Sequence, residues 1–152
     1  MAESWQPTIG DISRAFRDLA DEVGELNGNP LDSGAEQTIR HLLEDLELFV
    51  PGLDPMPDAE AGQAMARAAQ VALERGNERE AVVRALRGLS FAPHDPTLHY
   101  VLSSASFELG AVELAFRLLC HALWINPGFK AARADLESLS AFLEGGDEER
   151  AA

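Results

Sequence analysis

Two consecutive stretches of this chain share one pattern: residues 62–95 read GQAMARAAQVALERGNEREAVVRALRGLSFAPHD, and residues 96–129 read PTLHYVLSSASFELGAVELAFRLLCHALWINPGF. Four pairs of equivalent residues each lie 34 positions apart: Gly76 and Gly110, Ala81 and Ala115, Leu89 and Leu123, and Pro93 and Pro127. A fixed period of this length indicates stacked repeats, because each unit buries its apolar face against its neighbour. The pattern therefore predicts two helix pairs in series.

The first block contains the signals that begin and end two helices. Asp58 is placed to cap a helix that runs to Arg75, and Gly76 supplies the left-handed residue that ends it. Asn77, followed three residues later by Glu80, forms a capping box for the return helix.

The second block repeats these signals. Asp95 and Pro96 are suited to the N-cap and the first helical position, and Gly110 ends the helix that they begin. The partner helix ends at Pro127, and a last helix is predicted to stop at Gly145–Gly146. The expected boundaries are a repeat over 62–95, a repeat over 96–129, a capping helix over 129–144 and a frayed tail over 146–152, with the repeat domain spanning 58–145.

Small residues stand where two antiparallel helices approach most closely, at Ala69, Ala81, Ser103 and Ala115. A larger side chain there would push the helices apart, and the proline that closes each block prevents its second helix from continuing. We therefore assign six residues to repeat packing: Gly76, Ala81, Pro93, Gly110, Ala115 and Pro127.

These residues resemble the tetratricopeptide repeat (TPR) family, whose glycine, alanine and proline skeleton is matched by Gly76, Ala81, Ala85 and Pro93, and then by Gly110, Ala115, Ala122 and Pro127. The resemblance covers residues 62–129, extends to 130–143 as an end helix, and does not reach residues 1–61. Met65 and His99 replace the large residues that the family has early in a repeat. Gly88 stands where alanine is usual, and we expect it to loosen the first pair slightly.

The first 57 residues read as an acidic helical hairpin. Its helices are expected over about 8–26 and 34–50, with capping boxes at Thr8–Asp11 and Ser33–Glu36. The connector over 51–58, PGLDPMPD, is rich in proline and is expected to be stiff and non-helical. The fold class is therefore all-α: this hairpin, two TPR-like helix pairs and a C-terminal capping helix, in an α-α superhelix.

The charge of −14 lies mostly on the N-terminal part, where residues 1–61 carry 14 acidic and 3 basic side chains. Such a field repels nucleic acid and anionic lipid, so neither is expected as a main partner, and a basic partner would be attracted. No apolar run is long enough to cross a membrane, and the N-terminus lacks the features of a secretory signal. The lone Cys120 cannot form an internal disulfide, so the cytoplasm is the expected compartment.

The resemblance implies a concave groove lined by the first helix of each pair. Carried onto this chain, the partner-binding positions are Gln63, Arg67, Gln70, Leu73, Thr97, Tyr100, Ser104, Phe107, Glu108 and Ser138. Tyr100 and Phe107 offer aromatic anchors, whereas Arg67 is the single basic candidate. A Lys/Asn/Arg set that clamps acidic chaperone tails is therefore not expected. Packing between repeats is the competing interpretation for Leu73, Tyr100 and Phe107.

The function that these features favour is a protein–protein interaction module, an adaptor or a dedicated chaperone, that binds a peptide or helical segment of another protein. One alternative is a chaperone for bacterial secretion substrates, which neighbouring secretion genes would support. A second is a structural scaffold that self-associates through the acidic hairpin, for example as a homodimer. A partner could also use the convex face, or the hairpin could fill the groove of its own chain.

No catalytic or metal-binding pattern is present in the sequence. The histidines, His41, His94, His99 and His121, lack paired-ligand spacing; His94 is expected to be solvated, and His99 and His121 to pack between repeats. Cys120 and His121 are neighbours on a helix and point apart, and a buried, inert thiol is expected. We therefore predict a non-enzyme without cofactors or metals.

Overall fold

A computed structural model describes residues 6–26, 28–52 and 57–151, which form seven helices and no strand. The helices are α1 (Ile9–Glu25), α2 (Ser33–Leu46), α3 (Ala59–Glu74), α4 (Glu78–Phe91), α5 (Pro96–Glu108), α6 (Val112–Ile125) and α7 (Lys130–Ala151). The predicted all-α class is confirmed. Within these ranges, no helix combines the length and the apolar character that a membrane span requires.

The helix ends follow the local signals of the sequence. The Thr8 hydroxyl accepts from the Asp11 amide while the Asp11 carboxylate accepts from the Thr8 amide, which completes the expected capping box. Asp58, Asn77 and Asp95 each cap the following helix through the side chain. Gly76 and Gly110 have φ angles of 74° and 86°, the left-handed conformation that glycine adopts without strain.

The bounds of α2 differ from the expectation at both ends. The cap is Asp32, whose carboxylate accepts from the Ala35 amide at 2.8 Å, and not Ser33. The helix ends at Leu46 instead of residue 50, because the amides of Leu48 and Phe49 donate three residues back and tighten the last turn. The connector expected over 51–58 lies partly outside the described residues, which omit 53–56.

The last helix is longer than expected. We predicted that it would stop at Gly145–Gly146 and leave a frayed tail over 146–152, but α7 continues to Ala151. Gly145 is not among the glycines with positive φ, so it takes an ordinary helical conformation. A glycine costs a helix only about 1 kcal/mol and ends it only when the backbone turns left-handed, as at Gly76 and Gly110.

The helices stack in the order that the repeats predict, and the hairpin covers one side of the stack. α3 packs on α4, α5 on α6, and neighbouring pairs join through α4 with α5 and α6 with α7. α1 packs extensively on α4, and α2 makes smaller contacts with α6. The hairpin therefore lies on the second helices of the pairs and leaves the face of the first helices, α3 and α5, to solvent.

Arginine side chains hold the acidic hairpin to the repeats. Arg79 at the start of α4 donates to the backbone oxygens of Leu26 and Gly28, just after the end of α1. Three ion pairs join the hairpin to α4 and α6: Arg87 with Asp21 at 3.5 Å, Arg117 with Glu47 at 3.4 Å, and Arg40 with Glu113 at 3.5 Å. Part of the acidity of the hairpin is thus paired within the chain.

Two glycines in the first pair allow its helices to approach closely. A Cβ on Gly62 would lie 2.5 Å from the Cβ of Ala92, and one on Gly88 would overlap Cδ2 of Leu98. The absent side chain at Gly88 makes room for Leu98 of α5, in the next pair, while the expected loosening of the α3–α4 pair stays a prediction. The small residues Ala69, Ala81, Ser103 and Ala115 are all buried, as the close approach of antiparallel helices requires.

Candidate functional site

A pocket opens between α5 and α7 on the face that the hairpin leaves uncovered. α7 packs mainly on α6, so the first helix α5 and the last helix α7 diverge around a cavity of about 420 Å³. We call it the α5–α7 pocket; it is lined by Ser103, Ser104, Phe107, Glu108, Ala115, Leu119, Asp135, Ser138, Leu139 and Phe142. Its volume falls within the range of about 300–1,000 Å³ that is usual for binding clefts.

Two exposed aromatic rings form the walls of the α5–α7 pocket. Phe107 is 45% exposed and Phe142 is 61% exposed, and their ring centroids lie 6.2 Å apart in an edge-to-face arrangement. The buried side chains of Leu119 and Leu139 belong to the floor. Large apolar rings left in water on one face of a folded protein are typical of surfaces that bind another molecule.

The rim of the pocket is polar and acidic. The hydroxyls of Ser103 and Ser104 donate to the backbone oxygen of Tyr100 at 2.6 Å and 3.3 Å, so both are engaged within α5. Glu108 and Asp135 are exposed and contribute carboxylates. No residue that lines the pocket is basic.

Tyr100 lies beside the pocket and connects α5 to the start of α7. Its ring is 5.2 Å from that of Phe129, and the side chain is half-buried. Burial, together with the hydrogen bond to Asp135 and the negative charge of that carboxylate, raises the pKa of Tyr100 to about 12. This position favours the packing interpretation for Tyr100.

A second depression lies on the same face, between α3 and the start of α5. We call it the α3–α5 depression; its volume is about 390 Å³ and it is lined by Gln63, Ala66, Arg67, Gln70, Asp95 and Thr97. Asp95 caps α5 by accepting from the Thr97 amide, and burial raises the pKa of Asp95 despite that bond. Leu73 is half-buried and packs against the main core instead of opening into the depression.

The predicted groove residues thus fall into two neighbouring sets. Gln63, Arg67, Gln70 and Thr97 line the α3–α5 depression, and Ser104, Phe107, Glu108 and Ser138 line the α5–α7 pocket. Tyr100 and Leu73 line neither one. Sequence reasoning did not identify Phe142 or Asp135, although Phe142 is an aromatic residue next to Leu143 in the apolar stripe of the last helix.

Three buried histidines form a cluster where α5, α6 and the α4–α5 loop meet. The ring centroids of His99 and His121 are 4.6 Å apart, and His94 and His121 lie 5.9 Å and 5.1 Å from Trp124. His99 and His121 are buried, as expected for packing residues. The expectation that His94 is solvated is wrong, since only 6% of it is exposed and its ring contacts the edge of the Trp124 ring.

Burial controls the protonation of two histidines of this cluster, His99 and His121. It lowers the pKa of His99 to about 4, against the hydrogen bond between Nε2 and the backbone oxygen of Pro93 at 2.7 Å. Burial lowers the pKa of His121 to about 2, with smaller contributions from His99, His94 and Arg117. His99 and His121 are therefore neutral packing side chains at pH 7. Within residues 6–26, 28–52 and 57–151, no His, Cys, Asp or Glu group is arranged to hold a metal ion.

Cys120 is exposed and not buried, contrary to the expectation of a buried thiol. Position 120 lies on the outer side of α6, where α2 makes only limited contact and leaves the thiol accessible. Partial burial raises the pKa of the Cys120 thiol, and Arg117 opposes this shift. A raised pKa leaves the thiol protonated at pH 7, which disfavours a nucleophilic role.

Comparison with known proteins identifies the fold. No family model matches the chain, and a search of curated proteins finds no match. Among solved structures, the chain is similar to the C-terminal TPR-containing domain of a Plasmodium falciparum protein described as an FK506-binding protein. The two chains are 16% identical, the match covers 93% of this chain and 97% of that one, and the TM-score is 0.53. The fold is therefore TPR-like, and coverage of 93% means that the likeness includes part of the hairpin as well as the repeats.

Proposed function

We propose that this chain is a non-catalytic protein-binding module that holds a peptide or helical segment of a partner protein on the face of α3 and α5, as an adaptor or a dedicated chaperone. The observation that carries this proposal is the exposed pair Phe107 and Phe142, whose rings flank a cavity that the chain itself does not fill. Aromatic side chains in such pockets supply a large share of binding energy in protein interfaces.

The position of the hairpin supports a groove that is open to a partner. Because α1 and α2 lie on α4 and α6, they do not cover the α5–α7 pocket or the α3–α5 depression. The two cavities lie on one face and together would accommodate one short segment, with the α3–α5 depression offering polar contacts and the α5–α7 pocket offering apolar ones.

We place this activity in the cytoplasm. The single thiol of the chain, Cys120, is exposed and free. An exposed free thiol is stable in a reducing compartment and is oxidised outside one.

Site-directed photo-crosslinking in the native cell tests the proposal. A photoreactive amino acid at position 138, where Ser138 lines the α5–α7 pocket, should capture a discrete partner, and the same group at the exposed Gln37 of α2 should not. The double substitution Phe107→Ala and Phe142→Ala should abolish capture. The matched control is Leu48→Ala, which removes an equally exposed apolar side chain from the hairpin and should leave capture unchanged.

The groove assignment is wrong if capture at position 138 survives the double phenylalanine substitution, or if position 37 captures the same partner equally well. A partner that crosslinks only at position 37 would instead indicate binding to the hairpin side of the molecule.

A self-associating scaffold is the second candidate, and the same exposed aromatic pair favours it because two copies could bury Phe107 and Phe142 together. Light scattering over a range of concentrations separates the two functions. A dimer that the double phenylalanine substitution converts to monomer would support the scaffold, whereas a strict monomer at high concentration would exclude it.

A further inference from the structure

The α5–α7 pocket combines apolar walls with unpaired negative charge. Glu108 on α5 and Asp135 on α7 line the same cavity as Phe107 and Phe142, and both carboxylates are exposed. Among the described residues, no Lys or Arg forms an ion pair with either of them. The polar partner of Asp135 is the neutral hydroxyl of Tyr100, which leaves the charge of that carboxylate in place.

The arginine nearest to this region in sequence is engaged elsewhere. Arg133 on α7 donates from Nη2 to the backbone oxygen of Pro127 at 2.9 Å, at the α6–α7 turn. Arg117 on α6 pairs with Glu47 of the hairpin, on the other side of the helix pair. The single basic candidate of the groove, Arg67, lies in the α3–α5 depression. Lys130, the first residue of α7, does not line the pocket either. The lining of the α5–α7 pocket is therefore negative, and a positive charge has to come from a partner.

From this charge pattern we infer that the α5–α7 pocket takes a partner segment in which one Lys or Arg lies next to two large apolar side chains. The apolar side chains pack on Phe107 and Phe142, and the cation lies toward Glu108 and Asp135. This inference rests on the proposed function and specifies the partner of the same site. Complementary charge also raises the association rate, because the net charge of −14 attracts a basic segment over a distance.

The same charge argues against a second copy of this chain as the occupant. Two copies, each with a net charge of −14, would bring like-charged rims together at the pocket. Juxtaposed like charges across an interface are unfavourable and reject the wrong partner. A partner of opposite charge meets no such penalty.

Selection of peptides from a phage-displayed library of random short sequences, with the full chain as the target, tests this inference. Recovered peptides should contain Lys or Arg beside large apolar residues. Fluorescence anisotropy of the labelled peptides should show that Glu108→Gln combined with Asp135→Asn weakens binding by about 3- to 10-fold, since each exposed charge pair contributes modestly. Both substitutions keep the shape of the side chain, and the amide oxygen introduced by Asp135→Asn can still accept from the Tyr100 hydroxyl.

The matched control removes the same amount of charge from another face. Glu36→Gln combined with Glu44→Gln, on exposed or half-exposed positions of α2, should weaken binding by less than about 2-fold at constant ionic strength, because it lowers only the long-range attraction. Phe107→Ala combined with Phe142→Ala should abolish binding.

The outcomes separate this inference from the proposed function. Peptides that need Phe107 and Phe142 but are purely apolar or acidic, or that bind equally well to the Glu108→Gln, Asp135→Asn variant, would overturn the inference and leave the proposed function in place. Recovery of no peptide whose binding depends on Phe107 and Phe142 would overturn both. A basic peptide that the control variant also loses would show only general attraction to an acidic protein, and this too would overturn the inference.

Discussion

The two helix pairs carry the same sequence pattern but differ in how completely they are buried. Leu86 and Leu89 of α4 are fully buried, whereas the equivalent residues of α6 are the exposed Cys120 and the half-buried Leu123. The reason lies in their neighbours, because α1 packs along α4 and α2 touches α6 only in part. The same repeat pattern therefore produces one helix pair whose second helix is well buried and one whose second helix is partly exposed, depending on what packs against each.

The first helices of the two pairs differ in the same way. Leu73 at the end of α3 is half-buried against the main core, whereas the equivalent Phe107 of α5 is exposed in the α5–α7 pocket. The second pair also packs with α7 through a separate small apolar cluster, centred on Ala115, Leu119 and Leu139. The first pair is therefore the more completely buried of the two, and the second pair leaves an aromatic side chain exposed at the equivalent position.

The largest expected difference between the pairs comes from one matched leucine. Leu89→Ala should lower the free energy of unfolding by about 2–5 kcal/mol, because it leaves a cavity at a fully buried site. Leu123→Ala removes the same atoms 34 residues later, at a half-buried site, and should cost less than half as much. Urea unfolding of both variants checks this prediction. Equal decreases in the free energy of unfolding would show that the two leucines are equally buried.

The second prediction concerns His99, which the first repeat replaces with Met65 at the equivalent position. Its folded pKa of about 4 lies below the ordinary 6.5, so the unfolded chain binds protons first as the pH falls. Stability from this group is complete above pH 6.5 and is lost toward pH 4. Between about pH 7.5 and pH 5, the contribution of His99 to the free energy of unfolding falls by about 2 kcal/mol.

His99→Met should remove this loss, because it places the residue of the first repeat at the equivalent position of the second. His121, whose pKa burial also lowers, and the carboxylates contribute to the pH dependence over part of the same range. The quantity to measure is therefore the difference in pH dependence between the variant and the unmodified chain. Identical pH profiles for the two proteins would mean that His99 is not kept neutral by burial.

A third prediction concerns the close approach of helices in the first pair. Gly62→Ala should cost about 1–2 kcal/mol, because the new Cβ would lie within 2.5 Å of the Cβ of Ala92 and force the backbones apart. Gly24→Ala is the control: its Cβ would meet Val83 at an ordinary 3.8 Å, so better helix propensity should raise stability by up to about 1 kcal/mol. Thermal unfolding of both variants should therefore shift in opposite directions.

The smallest predicted effects compare how each pair holds the hairpin. Arg79→Gln removes the donors to Leu26 and Gly28 and should cost about 1–2 kcal/mol. The equivalent residue of the second pair is Glu113, whose side chain is mostly exposed and pairs with Arg40. Glu113→Gln should change stability too little to resolve, since surface ion pairs contribute little. Hydrogen exchange in α1 would detect loosening by the first substitution; loosening by the second would contradict the comparison.

Part of the candidate site could be predicted from the sequence, and part could not. The repeat register places Ser104, Phe107 and Glu108 on α5 together, because residues three or four apart share one face of a helix. Asp135 and Phe142 lie three residues before and four residues after the predicted Ser138, so they share its face of α7, and helical spacing from Ser138 would have identified them. The open space between α5 and α7 could not be predicted, because it follows from the packing of α7 on α6, which no repeat landmark specifies.

The sequence by itself determined the helix pairs, their caps and their turns. Asp58, Asn77 and Asp95 begin helices, and Gly76 and Gly110 end them, through hydrogen bonds and backbone preferences that span only a few residues. Such interactions are local, so they can be read without knowledge of the rest of the chain.

Only the tertiary structure decided which surfaces these helices cover. It placed the hairpin on α4 and α6, buried His94 in contact with Trp124, and left Phe107 exposed while Leu73 packed inward. Each outcome depends on apolar area that is buried between residues far apart in the chain. The repeated pattern alone predicts equal burial for equivalent residues of the two pairs. The hairpin, which lies outside the pattern, makes the two pairs different by covering one of them more completely than the other.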